Sequence, residues 1–93
     1  MIEMLTAASR PHFAAGVRLH HDAARDCWVL LAPERVLLLD EIAHAVLQRC
    51  DGAATLDAIV DILAREYQAP REQIDADVRA LLVELLAKRM LHT

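Results

Sequence analysis

Two almost uninterrupted apolar runs, Cys27-Trp28-Val29-Leu30-Leu31 and Arg35-Val36-Leu37-Leu38-Leu39, stand on either side of Ala32-Pro33-Glu34. Both runs are built from β-branched or bulky side chains, and the proline fixes φ in the segment between them, so the pair reads as a β-hairpin. Upstream, Val17-Arg18-Leu19-His20 alternates apolar and polar as a half-buried strand does, and Asp22 to Asp26 reads as a loop. The expected unit is a three-stranded antiparallel meander.

The periodicity then changes from two to 3.6. Asp40 suits a helix N-cap and Glu41 a first turn, with Ile42, Val46 and Leu47 on one stripe. Asp51-Gly52 stops that helix. Thr55 can cap the next, whose Leu56, Ile59, Val60, Leu63 and Tyr67 share a face. Ala69-Pro70 ends it, and proline is well placed to open a third helix, with Ile74, Val78, Leu81, Leu82 and Leu85 as its apolar stripe. Lys88 and Arg89 suit its C-terminus. Strands first and helices afterwards, joined by short connections, predict an α+β fold, a three-stranded antiparallel sheet followed by three helices in a winged helix-turn-helix-like arrangement. Residues 1–16 lack periodicity and are expected as a loosely held arm. The domain proper is expected over 10–93, with 1–9 as its flexible lead.

Composition bears on chemistry. The 93 residues include one serine (Ser9), one lysine (Lys88) and two glycines, too few reactive groups and too little loop glycine for an autonomous enzyme or a phosphate cradle. No cofactor is expected. The ten basic and fourteen acidic residues give a net charge of -4, whereas a nucleic-acid binder needs a basic surface. The winged-helix resemblance raises DNA binding as the alternative function. Over residues 70–89, however, Arg71, Arg79, Lys88 and Arg89 are offset by Glu72, Asp75, Asp77 and Glu84, which makes a poor reader of the major groove. No run is long and apolar enough to span a bilayer, and the N-terminus lacks signal-peptide character, so a cytoplasmic protein is expected. Cys27 and Cys50 are isolated and read as reduced core thiols. His20-His21-Asp22 and the His44/Cys50 pair lack metal-site spacing, so no metal is expected.

An apolar surplus remains. A sheet with one wet face should alternate, yet residues 35–39 are apolar on both rows. Either the arm, the third helix or a second copy of the chain covers the extra row, or the strand is an edge kept open for a peptide added as a further strand. Monomer and edge-paired or swapped homodimer are both compatible with such an edge.

Arg10-Pro11, Trp28-Val29-Leu30-Leu31-Ala32-Pro33-Glu34-Arg35, Leu39-Asp40, Cys50-Asp51-Gly52 and Asp77-Val78 with its leucine-rich continuation resemble the PqqD family over about residues 10 to 91. The resemblance implies a peptide chaperone of pyrroloquinoline quinone biosynthesis. Such a protein binds the ribosomally made precursor peptide PqqA and presents it to the radical SAM enzyme PqqE, as a recognition element for ribosomally synthesised, modified peptides. It further implies that the precursor adds as a strand beside Arg35, Val36, Leu37, Leu38 and Leu39, in a cleft walled by Val78, Leu81, Leu82 and Leu85. Trp28 is expected as a packing anchor.

Overall fold

The computed structural model describes residues 5–93. In chain order they form β1 (His12–Phe13), β2 (Arg18–Asp22), β3 (Cys27–Ala32), β4 (Arg35–Leu39), α1 (Glu41–Leu47), α2 (Leu56–Tyr67), α3 (Arg71–Ala87) and β5 (Leu91–His92). The three-stranded sheet β2-β3-β4 is antiparallel throughout. Its two turns carry the chemistry their geometry asks for. After β2, Asp22 Oδ1 accepts hydrogen bonds from the amides of Ala24 and Arg25 at 3.1 and 3.3 Å, and Asp26 closes the loop at φ 49°. After β3, Pro33-Glu34 forms a two-residue connection that pairs Ala32 with Arg35 and brings Leu30 opposite Leu37. Gly16 takes φ +79°, and a Cβ there would meet the Pro33 ring at 3.3 Å, so a larger residue would press on this turn.

The first two helices begin as the sequence predicts, while Pro70, expected as the first residue of the third, is instead its N-cap. Asp40 Oδ1 accepts from the Ala43 amide at 2.7 Å, and Thr55 Oγ1 accepts from the Ala58 amide at 3.1 Å. Gln68 ends α2 in the left-handed conformation at φ 49°. The Gln68 amide donates to Arg65 O at 3.3 Å and that of Ala69 to Ala64 O at 3.1 Å, the paired bonds of a Schellman cap, and α3 ends the same way: Arg89 adopts φ 59°, its amide donates to Leu86 O at 3.0 Å and that of Met90 to Leu85 O at 2.9 Å.

One core lies between the sheet and the helices. Leu30 from β3, Val46 from α1, Leu56, Ile59 and Val60 from α2, and Val78 and Leu82 from α3 are wholly buried. Arg71 braces the outside of α2 against α3, paired with Asp57 and, at 3.4 Å, with Asp61. Among the described residues, no helix is long and apolar enough to cross a membrane.

The segment expected as a loose arm falls partly on residues 1–4, outside the described residues. From Leu5 onward it is tied to the body. The first two amides of α2, those of Leu56 and Asp57, have no partner within the helix. They donate instead to the carbonyls of Ser9 (2.8 Å) and Ala7 (3.0 Å). Farther along, β1 pairs antiparallel with β5, and the Gly52 amide donates to Pro11 O at 3.0 Å. This second, two-stranded sheet joins the two ends of the chain and is an addition to the expected order of three strands and three helices.

Candidate functional site

β2 and β4 are the two edge strands of the three-stranded sheet, and β4 is the apolar one. β3 covers one of its edges, and among the described residues no strand pairs with the other. The Pro33-Glu34 turn makes Ala32/Arg35 the closing hydrogen-bonded pair, so bonded and non-bonded pairs alternate from there. Arg35, Leu37 and Leu39 therefore spend their backbone groups on β3. Val36 and Leu38 turn theirs outward, giving the free edge two N–H donors and two C=O acceptors.

The side chains of β4 also divide by parity. Leu37 and Leu39 are half-buried against the core, opposite Leu30 and Trp28. Val36 and Leu38 project from the other face, 59% and 62% exposed, beside Leu31 and the buried Val29. The apolar surplus seen in the sequence is thus real and lies on the sheet face away from the helices.

The helical wall differs from the one expected. Val78 and Leu82 are 0% exposed and Leu85 1%, all three in the core, because they lie at the centre of the stripe with which α3 packs on α2 and the sheet. They hold the wall in place and present no surface. Of the four expected wall residues only Leu81 is accessible: it lines a shallow recess of about 370 Å³ together with Asp77 and Ala80 of α3 and Asp40, Ile42 and Ala43 at the start of α1. Apolarity in the sequence does not single out these five neighbours, because it marks the core. The accessible wall is the adjoining stripe, where small, acidic and apolar residues mix. A second recess, of about 310 Å³, lies at the hairpin tip and includes Arg35 with Lys88 and Arg89.

Near the recess by α1, Trp28 of β3 lies flat on His44 of α1, ring centroids 4.2 Å apart and 13° from parallel, and His21 of β2 meets the same indole at 5.2 Å. Trp28, expected as a packing anchor, packs on these two rings but stays 37% exposed and outside the core cluster. Burial, and secondarily the nearby His21, lower the His44 pKa from its ordinary value. Its Nε2 is enclosed without a hydrogen-bond partner, so a proton there has nothing to receive it.

Both cysteines are free thiols. Burial, reinforced by the Asp51 carboxylate, pushes Cys50 up to about 12. Cys27, expected in the core, instead sits at the start of β3, only partly buried, because its side chain falls on the open end of the sheet. Among the described residues, no three His, Cys, Asp or Glu side chains gather as metal ligands.

The PqqD family, coenzyme PQQ synthesis protein D, matches residues 27–91. A PqqA binding protein of Xanthomonas euvesicatoria is 54% identical over 88 residues, 95% of this chain and 96% of that protein. A protein of the same name from Xanthomonas campestris is 53% identical over 84 residues, 90% and 91% of the two chains. The solution structure of the PqqD truncation of Methylobacterium extorquens PqqCD, described as a functional and stand-alone RiPP recognition element, superimposes with a TM-score of 0.83. It is 40% identical and covers 97% of this chain and 96% of its own. The crystal structure of PqqD from Xanthomonas campestris gives 0.62 at 49% identity, covering 97% and 100%. The shared strand and helix order, near-complete mutual coverage and the Trp28-to-Arg35 hairpin agree with one another, and the chain belongs to the PqqD family.

Proposed function

We propose that this chain is a non-enzymatic peptide carrier of pyrroloquinoline quinone biosynthesis, which binds the precursor PqqA as an added strand along β4 and holds it for the radical SAM enzyme PqqE. The observation that carries the reading is the free edge of β4, with outward backbone groups at Val36 and Leu38, which leads through Asp40 directly into the recess lined by Ile42, Ala43, Ala80 and Leu81. The names of the relatives support the choice of peptide. Four edge hydrogen bonds at about 1 kcal/mol net each, with a few half-buried apolar contacts, must offset association and ordering costs of several kcal/mol. The outcome is a modest, reversible affinity, which suits a protein that passes its cargo on.

Titrating PqqA into isotopically labelled protein tests the binding step. Amide shifts should concentrate in residues 35–39, the start of α1 and the 77–81 stretch of α3, and a response confined to other elements would sink the reading. Adding PqqE to the loaded protein tests delivery: the bound peptide should be found in a ternary assembly or released to the enzyme.

A further inference from the structure

Each recess joins one end of β4 to a different part of α3 or the residues just after it, and their charges differ in sign. Asp40 immediately follows β4 and faces Asp77 in the first half of α3, whereas Arg35 opens β4 and faces Lys88 and Arg89 just past the end of α3. Strand and helix therefore run in opposite directions between the two recesses, the acidic one at Asp40 and Asp77 and the basic one at Arg35, Lys88 and Arg89. Glu34 is the one acid among the residues lining the basic recess.

Among the described residues, most other basic side chains, Arg10 and Arg18 excepted, are ion-paired, and so is Lys88 of the basic recess: Arg25, Arg49, Arg65, Arg71, Arg79 and Lys88 each have an acidic partner. Among the described residues, Arg35, Arg89 and Asp77 have no ion-pair partner. Arg89, moreover, occupies the left-handed position of the α3 cap at φ 59°, where glycine is the favoured residue. The residue held there is one of those lining the basic recess.

We propose that the two recesses are the ends of one peptide trough, which reads charge order as well as shape. Its occupant is an extended peptide carrying an acidic group where it meets Arg35 and Arg89 and a basic group where it meets Asp77, with an apolar stretch between them over Leu81. This rests on the strand-addition reading above and adds direction to it. β4 has five residues, so at about 3.4 Å per residue the two charges stand roughly five residues apart. Swapping them along the peptide puts like charge against like at both ends, so each bound peptide is oriented one way.

Two synthetic peptides of identical composition test this, Glu at one end and Lys at the other of the same five-residue apolar core, in both orders. In wild-type protein one order should bind about fivefold tighter, as two exposed ion pairs allow, and the advantage should shrink as salt is raised. The double variant Arg35→Glu/Asp77→Lys should invert the preference, which a merely structural role for these residues would not do. Arg89→Gly should melt no lower than wild type while losing part of the discrimination. Equal binding of both orders to wild type, or an unchanged preference in the double variant, overturns the proposal. PqqA titrated in parallel separates the two failures: if it shifts residues 35–39 while charge order has no effect, polarity alone fails, and if it leaves them unmoved, strand addition fails with it. Shifts of residues 35–39 that depend on protein concentration without peptide would assign the trough to a second copy of the chain and also overturn the proposal.

Discussion

The indole of Trp28 and the imidazole of His44 are stacked face to face, 4.2 Å between centroids, and this contact joins the central strand of the sheet to the first helix. Enclosure of Nε2 without a hydrogen-bond partner favours the neutral imidazole there.

The consequence is an acid-sensitive sheet-helix contact. Because burial lowers the His44 pKa from 6.5 in the folded chain, the unfolded chain takes up the proton first as pH falls. Stability is therefore whole above about 6.5 and declines as pH drops below it. His21 and Asp26, 3.4 Å apart at the β2 end, are the other titratable groups beside the stack. Melting temperatures measured from pH 7.5 down to roughly 5 should fall in wild type. They should fall less in His44→Phe, which keeps a ring on Trp28 but cannot be protonated. An identical slope in the two proteins would place the acid sensitivity elsewhere.

Thiol reactivity should separate the two cysteines. Cys50 is buried, its Sγ donates to Val46 O at 3.4 Å, and its pKa is pushed up to about 12, which removes the reactive thiolate near neutral pH. A thiol reagent at pH 8 should label Cys27 in the native protein, and Cys50 only after denaturant is added. Comparable rates at both sites in native protein would contradict the burial.

The N-terminal segment should contribute to stability through α2. Deleting residues 1–9 removes the Ser9 and Ala7 carbonyls from the Leu56 and Asp57 amides. It also removes Leu5 from the edge of the core. The expected cost is about 1–2 kcal/mol, because water replaces part of the lost bonding. Urea unfolding of the shortened chain checks it. Thr55→Ala, which removes the remaining side-chain cap of the same helix, should cost about 1 kcal/mol.

This helix start also shows what sequence can and cannot carry. Thr55, Asp40 and the stripe from Leu56 to Tyr67 are local signals, each set by residues within a turn or two, and their elements form where expected. β4 likewise runs from Arg35 to Leu39 as read, because a proline turn and two bulky runs specify a hairpin with little outside help. β1 and β5 are two residues each, and their pairing joins His12 to His92, so nothing local distinguishes them from loop. The trough was half legible. Its strand follows from apolar surplus, but its helical wall needs the rotation of α3 about its own axis, which separates Leu81 from Val78, Leu82 and Leu85 although all four are apolar.

The parity of β4 yields a backbone test. Proline at Val36 or Leu38 removes an outward N–H that no strand uses, whereas proline at Leu37 removes a donor to β3. Leu38→Pro should keep the cooperative fold and weaken PqqA binding. Leu37→Pro should disrupt the hairpin. If Leu38→Pro binds PqqA as tightly as wild type, the edge of β4 is not where the peptide adds.

Leu81 and Leu82 are neighbours on α3 with opposite assignments, and truncating each separates core from site. Leu82 is wholly enclosed, so Leu82→Ala removes buried methyl groups and leaves a cavity, costing about 2–5 kcal/mol in urea unfolding. If that variant still folds, its affinity for PqqA should be close to wild type, since Leu82 presents no surface to a ligand. Leu81 lies at the rim, half-buried in the recess beside Ile42 and Ala80. Leu81→Ala should therefore cost well under the Leu82 change in stability, yet weaken PqqA by roughly threefold to tenfold, the worth of about 1 kcal/mol of apolar contact. The opposite pattern, binding lost with Leu82 and kept with Leu81, would mean that the peptide displaces the core stripe of α3 rather than lying along its edge.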